Sequence, residues 1–243
     1  MEKQASVLRS YDNLAPHLRT YSLTKSAYLA AIDRIILERV RPNAGSMLDV
    51  GSGDGVRAAR LAAAKGIKHL VLSDPSERML VSCREQLARV WAKAAEDLPD
   101  AGERFDVITC LWNVLGLVAD STKRLAALER MSRLLANQGQ LFLDVNNRYN
   151  ASSYGWAPTI RRMAYDLVSP ADSNGDVAFT WRVDDREIQS TGHVFRPGEV
   201  KKLIKAAGLA VRHAHIIDYK SGALRRCRFA GQLFFELATR VDS

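Results

Sequence analysis

Little in this 243-residue chain suggests covalent or metal scaffolding. Its three cysteines, at positions 83, 110 and 227, are too few and too scattered for a disulfide framework or a zinc site. Kept reduced, they behave as small apolar residues. No apolar run approaches the ~20 residues of a membrane-spanning helix. The opening Met1-Glu2-Lys3-Gln4 lacks the basic-then-apolar pattern of a secretory signal, so a cytoplasmic protein is expected. Repeats, low-complexity tracts and a basic tail are also missing. Residues 1–160 carry 21 Lys+Arg against 17 Asp+Glu, and residues 161–243 carry 14 against 10, an excess of +4 in each part of the +8 total. A charge spread this evenly favours solubility or an acidic partner and does not by itself imply nucleic acid.

What the chain does have is 47% hydrophobic residues, enough to bury a full core. Its length suits one α/β domain with an insertion, or a domain plus a small cap. Its organising stretch is Met47-Leu48-Asp49-Val50-Gly51-Ser52-Gly53-Asp54-Gly55, followed by an Ala-rich run from Val56 to Ala64. An apolar run, a glycine-dense turn and a run of helix formers read as strand, tight turn and helix. Glycines at 51, 53 and 55 bare the backbone to a ligand, and the free N–H groups of the helix start face the same cleft. A dinucleotide fingerprint needs G-x-G-x-x-G. Here the third glycine comes one place early and position 56 is Val.

Leu-Asp-Val followed by G-x-G-x-G resembles the first motif of the class I S-adenosylmethionine-dependent methyltransferases. The resemblance implies that Asp49, Gly51, Ser52, Gly53, Asp54 and Gly55 back onto the methionine part of S-adenosylmethionine. A second strand, His69–Ser73, ends in Asp74-Pro75, with Asp74 lying 21 residues beyond Gly53. An acid about 20 residues past such a turn accepts hydrogen bonds from both ribose hydroxyls. The alternative is an Asp capping the helix expected over 76–89, on whose inner side Met79 is a further cofactor-site candidate. Ala94-Ala95-Glu96-Asp97-Leu98-Pro99 resembles the family's D-A-E-D-L-P signature, which binds adenine. With Ala94 in the first position, the contact passes to Ala95 N–H or to the Glu96 or Asp97 side chain; a solvated surface loop is the other reading. Phe105–Cys110 resembles the family's F-D-x-V strand. It delivers Leu111, Trp112 and Asn113 to the strand end, where doubly wound folds bind ligands.

Before the first strand, residues 5–20 and 23–40 read as two helices. In the second, Leu29, Ile32, Ile36 and Val40 recur at helical spacing, with Ser22 or Thr24 as its cap. The family often folds such a leader, residues 1–42, over the cofactor with an early tyrosine close by. Tyr11 and Tyr21 lie in it, and Tyr21 is the named candidate; ordinary packing is the other reading. After the 121–136 helix, capped by Asp120 or Ser121, the strand Gln140–Val145 ends in a polar cluster, Asn146 to Asn150. A helix over 157–168 and strands 177–183 and 187–195, joined at Asp184-Asp185-Arg186, read as a cap inserted at 151–195 over the acceptor pocket. The helix 200–207 and strands 210–219 and 229–239 complete the chain, with Arg225 to Arg228 as a solvated hairpin flank.

The expected fold class is α/β, a single Rossmann-like doubly wound sheet, mostly parallel with an antiparallel last strand, plus the inserted cap. The expected activity is direct transfer of a methyl group from S-adenosylmethionine to an oxygen or nitrogen of a small-molecule acceptor. An RNA acceptor and a non-catalytic cofactor-binding protein are the alternatives. Against RNA, the chain has no stacked-aromatic basic module. It also has no Asn-Pro-Pro-Tyr tetrad and no Pro-Cys nucleophile. The step is an in-line displacement, so the protein chiefly supplies proximity and alignment; a hydroxyl acceptor adds the need for a general base. His193 is the first candidate for that base, set against a structural histidine. Asn146, Tyr149 and Tyr154 are the candidates for acceptor binding. His213 and His215 share a strand face, but no further ligands accompany them and no metal is expected. Partners are a small-molecule acceptor and, as an open option, a second copy of the chain; neither a membrane nor a nucleic acid is expected.

Overall fold

The computed structural model describes residues 2–84, 88–100 and 102–240. A helical leader comes first: α1 (Glu2–Leu14), a 3-10 turn at Ala15–His17, α2 (Leu18–Leu23) and α3 (Ser26–Arg39). Pro16 sits at the start of the 3-10 turn and splits the single helix expected over 5–20. Ser22 and Thr24 do not cap α3. Their hydroxyls donate back to Arg19 O and Tyr21 O, closing α2 instead.

Then the alternation begins: β1 (Ser46–Val50), α4 (Val56–Lys65), β2 (His69–Ser73), α5 (Glu77–Arg84), β3 (Arg89–Trp91), β4 (Phe105–Cys110), α6 (Ser121–Leu134) and β5 (Leu135–Val145). The expected 76–89 helix is shorter: residues 85–87 lie outside those described, and Arg89 already belongs to a strand. Asp120 caps α6 by accepting from Lys123 N at 2.9 Å. The insertion holds α7 (Ala151–Tyr154), α8 (Trp156–Val168), β6 (Asp176–Val183) and β7 (Arg186–His193). The chain closes with α9 (Pro197–Ala206), β8 (Leu209–Ile217), the short edge strand β9 (Leu224–Arg225) and β10 (Gln232–Thr239).

The main sheet has the order β3-β2-β1-β4-β5-β10-β8-β9. The five strands from β3 to β5 are mutually parallel. β10 runs antiparallel between β5 and β8, so the last strand has the expected sense. Strand order reverses between β1 and β4, which opens a crevice at their C-terminal ends. Side chains alternate across the sheet. Leu48 and Val50 face the cluster under α6 and α9 with Phe105, Leu128 and Met131. Met47 faces the opposite cluster, with Ile32 and Ile36 of α3, Leu61 of α4, and Phe142. No described helix is long and apolar enough to cross a membrane.

The insertion does not act as one body. Asp184 and Asp185 take φ of 49° and 57°, the paired left-handed geometry of a two-residue hairpin turn. The β6–β7 hairpin lies against the leader, where Leu14, Trp181, Val183 and Ile188 bury one another beside Tyr11, Leu18, Tyr21 and Phe179. Two polar links reinforce the pairing: Ser10 Oγ to Ser190 Oγ at 2.8 Å and His17 Nδ1 to Asp184 Oδ2 at 2.6 Å. Helix α8 docks elsewhere. Asp166 accepts from Arg148 Nε at 2.7 Å, Tyr149 Oη at 2.9 Å and Asn174 Nδ2 at 3.0 Å.

Candidate active site

A cavity of about 1140 Å³ opens over the crevice between β1 and β4, roofed by the leader and the hairpin. It exceeds the ~300–1,000 Å³ of an ordinary single-ligand cleft, leaving space for a cofactor and a second molecule together. Its floor is the glycine turn. Gly51 N and Ser52 N donate to Ser73 O at 2.7 and 3.0 Å, which ties the turn to the end of β2. Gly51 has φ 72°, and a Cβ there would stand 2.4 Å from Val114 Cγ2. Gly53 has φ 58°, and its Cβ would meet Leu18 Cδ2 at 2.8 Å. Only glycine permits both the left-handed backbone and such close approach.

Asp74 ends β2 with both carboxylate oxygens aligned. Oδ2 accepts from Gly53 N at 3.0 Å and Oδ1 from Ser76 N at 2.9 Å. Each oxygen keeps a lone pair for a further donor, so a diol of neighbouring hydroxyls suits it. The capping and ribose readings of Asp74 are therefore compatible in one geometry. Burial pushes its pKa up to about 6, against the lowering effect of those two N–H groups. Asp49 is likewise pushed up to about 6 by burial, although Thr109 Oγ1 donates to it. Asp144 behind the crevice is pushed to about 6 by the same cause. Three desolvated carboxyls beside one cavity suit a ligand carrying positive charge.

Of the expected cofactor residues, Asp49, Gly51, Ser52, Gly53, Asp54, Asp74, Pro75, Met79, Ala95, Glu96, Asp97, Leu111, Asn113 and Tyr21 all line the cavity. Gly55 does not; it starts α4 in a left-handed conformation, φ 72°. Ala95 to Asp97 form a 3-10 turn in which Ala95 and Glu96 are buried, and Lys123 Nζ approaches Glu96 Oε1 at 3.6 Å. Asn113 has structural work as well as a place on the wall. Its Nδ2 donates to His193 O at 3.1 Å and its Oδ1 accepts from Asn146 N at 2.9 Å. It thereby joins the ends of β4, β5 and β7.

Among the expected acceptor residues, Asn146 lines the cavity, and Tyr149 and Tyr154 do not. Tyr149 is turned to Asp166 and a separate surface hollow beside Arg196 and Lys202. Tyr154 is held under the Arg162 guanidinium, 4.5 Å from its ring centroid. His193 is also displaced from the expected role. It is fully buried, with Nδ1 2.9 Å from Asp176 Oδ1 and Nε2 2.7 Å from Glu199 Oε1. With both ring nitrogens engaged away from the cavity, it is a structural histidine in this geometry.

In their place stands an aromatic wall. Tyr21 stacks on Trp112 with centroids 5.7 Å apart and planes 16° from parallel. Trp112 Nε1 donates to Tyr219 Oη at 3.3 Å, and Tyr11, Phe179 and Trp181 close the hairpin side. Trp112 and Asn113 both adopt positive φ, 59° and 63°. Two consecutive non-glycine residues in this region imply local strain. Asp144 offsets it: its Oδ2 accepts from Trp112 N at 3.1 Å and its backbone O from Asn113 N at 3.2 Å. Phe179, Trp181 and Tyr219 carry no local motif and are brought together only by the fold.

Residues 47–139 match the family model described as "Methyltransferase domain". No curated protein sequence matches the chain significantly. Solved structures share the fold. CcbJ methyltransferase from Streptomyces caelestis is 16% identical with a TM-score of 0.63, over 89% of this chain and 90% of that one. CalS10 from Micromonospora echinaspora, an amino pentose methyltransferase with bound S-adenosylmethionine, is 20% identical with a TM-score of 0.60, over 92% and 96%. The sugar N-methyltransferase KedS8 from Streptoalloteichus sp. ATCC 53650 is 20% identical with a TM-score of 0.56, over 88% and 87%. Residues 47–139 thus match a methyltransferase domain, and the chain as a whole shares the fold of S-adenosylmethionine-dependent methyltransferases of known structure.

Proposed function

We propose that this chain is a class I S-adenosylmethionine-dependent methyltransferase and that it methylates an amine nitrogen of a small-molecule acceptor held against the Tyr21–Trp112–Tyr219 wall. The observation that carries the proposal is the set of groups on that wall. A hydroxyl acceptor needs a base to take its proton, and among the described residues none is available there. Asp144 lies behind the wall, outside the cavity lining, with its oxygens turned to the Tyr28 hydroxyl at 3.0 Å and to Trp112 N–H. Burial raises the Tyr21 and Tyr219 phenols above their usual range, so they remain protonated. A neutral amine needs no base. Its lone pair attacks the methyl carbon, the C–S bond breaks, and the electron pair stays on sulfur, leaving the thioether product. The new ammonium then loses a proton to water. Aromatic faces also favour the cation that develops on nitrogen. The names of CalS10 and KedS8, an amino pentose and a sugar N-methyltransferase, support the same acceptor class.

Proximity and alignment do most of the work in such a displacement. The glycine turn and Asp74 fix the donor, and the hairpin and leader bring the acceptor and exclude water. The test is methyl transfer to a panel of amino sugars, aliphatic amines, phenols and tRNA. Turnover on amines, reduced at least tenfold by Trp112→Ala with cofactor affinity kept, is expected. Preferred turnover on phenols or tRNA, or cofactor binding with no transfer to any of them, refutes the proposal.

A further inference from the structure

Helix α8 carries an apolar ridge on its outer side. Every exposed position of the helix but one is apolar or aromatic; Trp156, Ile160, Tyr165, Leu167 and Val168 are the large ones, and Arg161 is the exception. The opposite face is already packed. Thr159 and Asp166 are buried, Asp166 in its ion pair with Arg148, and Arg162 lies over the Tyr154 ring. The ridge is therefore not a core face left open. Leu167 and Val168 stand 82% and 86% exposed. Apolar side chains massed on a surface in this way mark a place of association. Cations border them. At the start of the helix, Trp156 packs on Phe229 with ring centroids 5.7 Å apart, and the Arg228 guanidinium lies 4.9 Å from the same Phe229 ring. Along the flank, Met163 helps to line a surface hollow of about 480 Å³ that also holds Arg196, Lys202 and Arg228. Glu199 and Asp172 approach Arg196 at 3.7 and 4.0 Å. Arg161, Lys202 and Arg228 form no ion pair among the described residues.

Shape and charge together select the occupant. Side chains this exposed stand proud of the surface, so a soft apolar layer buries them where a folded partner would need a matching groove. The charges beside them are of one sign. A second copy docked about a twofold axis would set Arg161 against its own counterpart, and no exposed acid on α8 answers it. Trp and Tyr among Ile, Leu and Val, with arginines alongside, is the composition of a helix that lies in a membrane interface. We propose that α8 docks this protein on an anionic lipid surface, with the ridge at the headgroup–acyl boundary and the hollow of Arg196, Lys202 and Arg228 over lipid phosphates. Such a contact needs no membrane-spanning helix. It departs from the expectation of no membrane because exposure of a helix face is set by tertiary packing. It is independent of the cofactor and acceptor assignments.

The test is co-sedimentation of the full chain with vesicles of phosphatidylcholine alone and of phosphatidylcholine with about 30% phosphatidylserine. Binding to the anionic vesicles is expected, weaker as salt rises, with little binding to the neutral ones. Leu167→Ser combined with Val168→Ser should weaken it about tenfold or more. Lys202→Gln combined with Arg228→Gln should weaken it by about fivefold for each charge removed. All four side chains are exposed, so the melting temperature should hold in both variants. A blue shift of tryptophan emission on anionic vesicles that is lost in Trp156→Phe would put the ridge in the bilayer. No binding to anionic vesicles, or equal binding to both compositions, overturns the proposal. So does binding that the Leu167 and Val168 changes leave intact, which marks diffuse attraction of a chain of net charge +8. Self-association that those changes abolish, without vesicle binding, assigns the ridge to a second copy and overturns it as well.

Discussion

If Asp74 grips the ribose of S-adenosylmethionine, replacing it by alanine removes the acceptor of two hydrogen bonds to that sugar. Each hydrogen bond to a charged group contributes about 1.5–3 kcal/mol, so two correspond to about 3–6 kcal/mol, or about 10²–10⁴-fold in affinity. The same change strands Gly53 N–H and Ser76 N–H, which now donate to this carboxylate at 3.0 and 2.9 Å. Part of the loss therefore comes from a looser glycine turn. Calorimetry with S-adenosylhomocysteine and its 2′-deoxy analogue separates the two contributions. The native protein discriminates between the ligands, and Asp74→Ala binds both weakly and alike. The pH dependence is a second readout. Burial holds the free-protein pKa of Asp74 at about 6, and a protonated carboxyl is a poorer partner for two O–H donors. Binding must then release a proton below that value. Affinity is flat above pH 6 and falls as pH drops, by up to about tenfold per unit for this one group. Asp49, also near 6, adds to the slope, so Asp74→Ala makes it shallower without abolishing it. Unchanged affinity in Asp74→Ala, or affinity independent of pH between 5 and 7, refutes the reasoning.

Two further outcomes follow from the geometry. Gly51→Ala puts a Cβ 2.4 Å from Val114 Cγ2 at φ 72°; the left-handed backbone alone costs roughly 1–2 kcal/mol. Adding Val114→Ala relieves the clash and leaves the backbone strain, so chemical denaturation should show coupling of about 0.5–3 kcal/mol, whereas simple additivity counts against this contact. His193→Ala removes a fully buried ring that bridges the exposed Asp176 and the partly buried Glu199 and should lower stability by about 1–3 kcal/mol. Cofactor affinity should stay within about twofold, because the ring faces away from the cavity and the His193 carbonyl that holds Asn113 is kept. A large fall in kcat with an unchanged melting temperature would instead restore His193 as a base.

The parts of the site that were legible in the chain are those whose physics is local. Gly51 and Gly53 advertise a left-handed turn, and Asp74 follows at the separation one strand–turn–helix–strand unit imposes. The backbone contacts of Asp74 leave a lone pair on each oxygen, so its capping of the turn and the expected ribose contact do not compete. His193, Tyr149 and Tyr154 do not line the cavity, and titratable or aromatic character in the sequence says nothing about direction. His193 turns to Asp176 and Glu199, and Tyr149 to Asp166.

By itself, the order of residues determined a doubly wound sheet, a bare glycine turn after its first strand and an antiparallel closing strand. These depend on hydrophobic period and backbone freedom, which act over a few neighbours. Only the tertiary structure decided what lines the cavity opposite the glycine turn. The wall assembles from Tyr21, Trp112, Phe179, Trp181 and Tyr219, residues from the leader, a strand end, the hairpin and the loop after β8. Docking of the hairpin on the leader brings them together, and that contact is a matter of packing between distant segments.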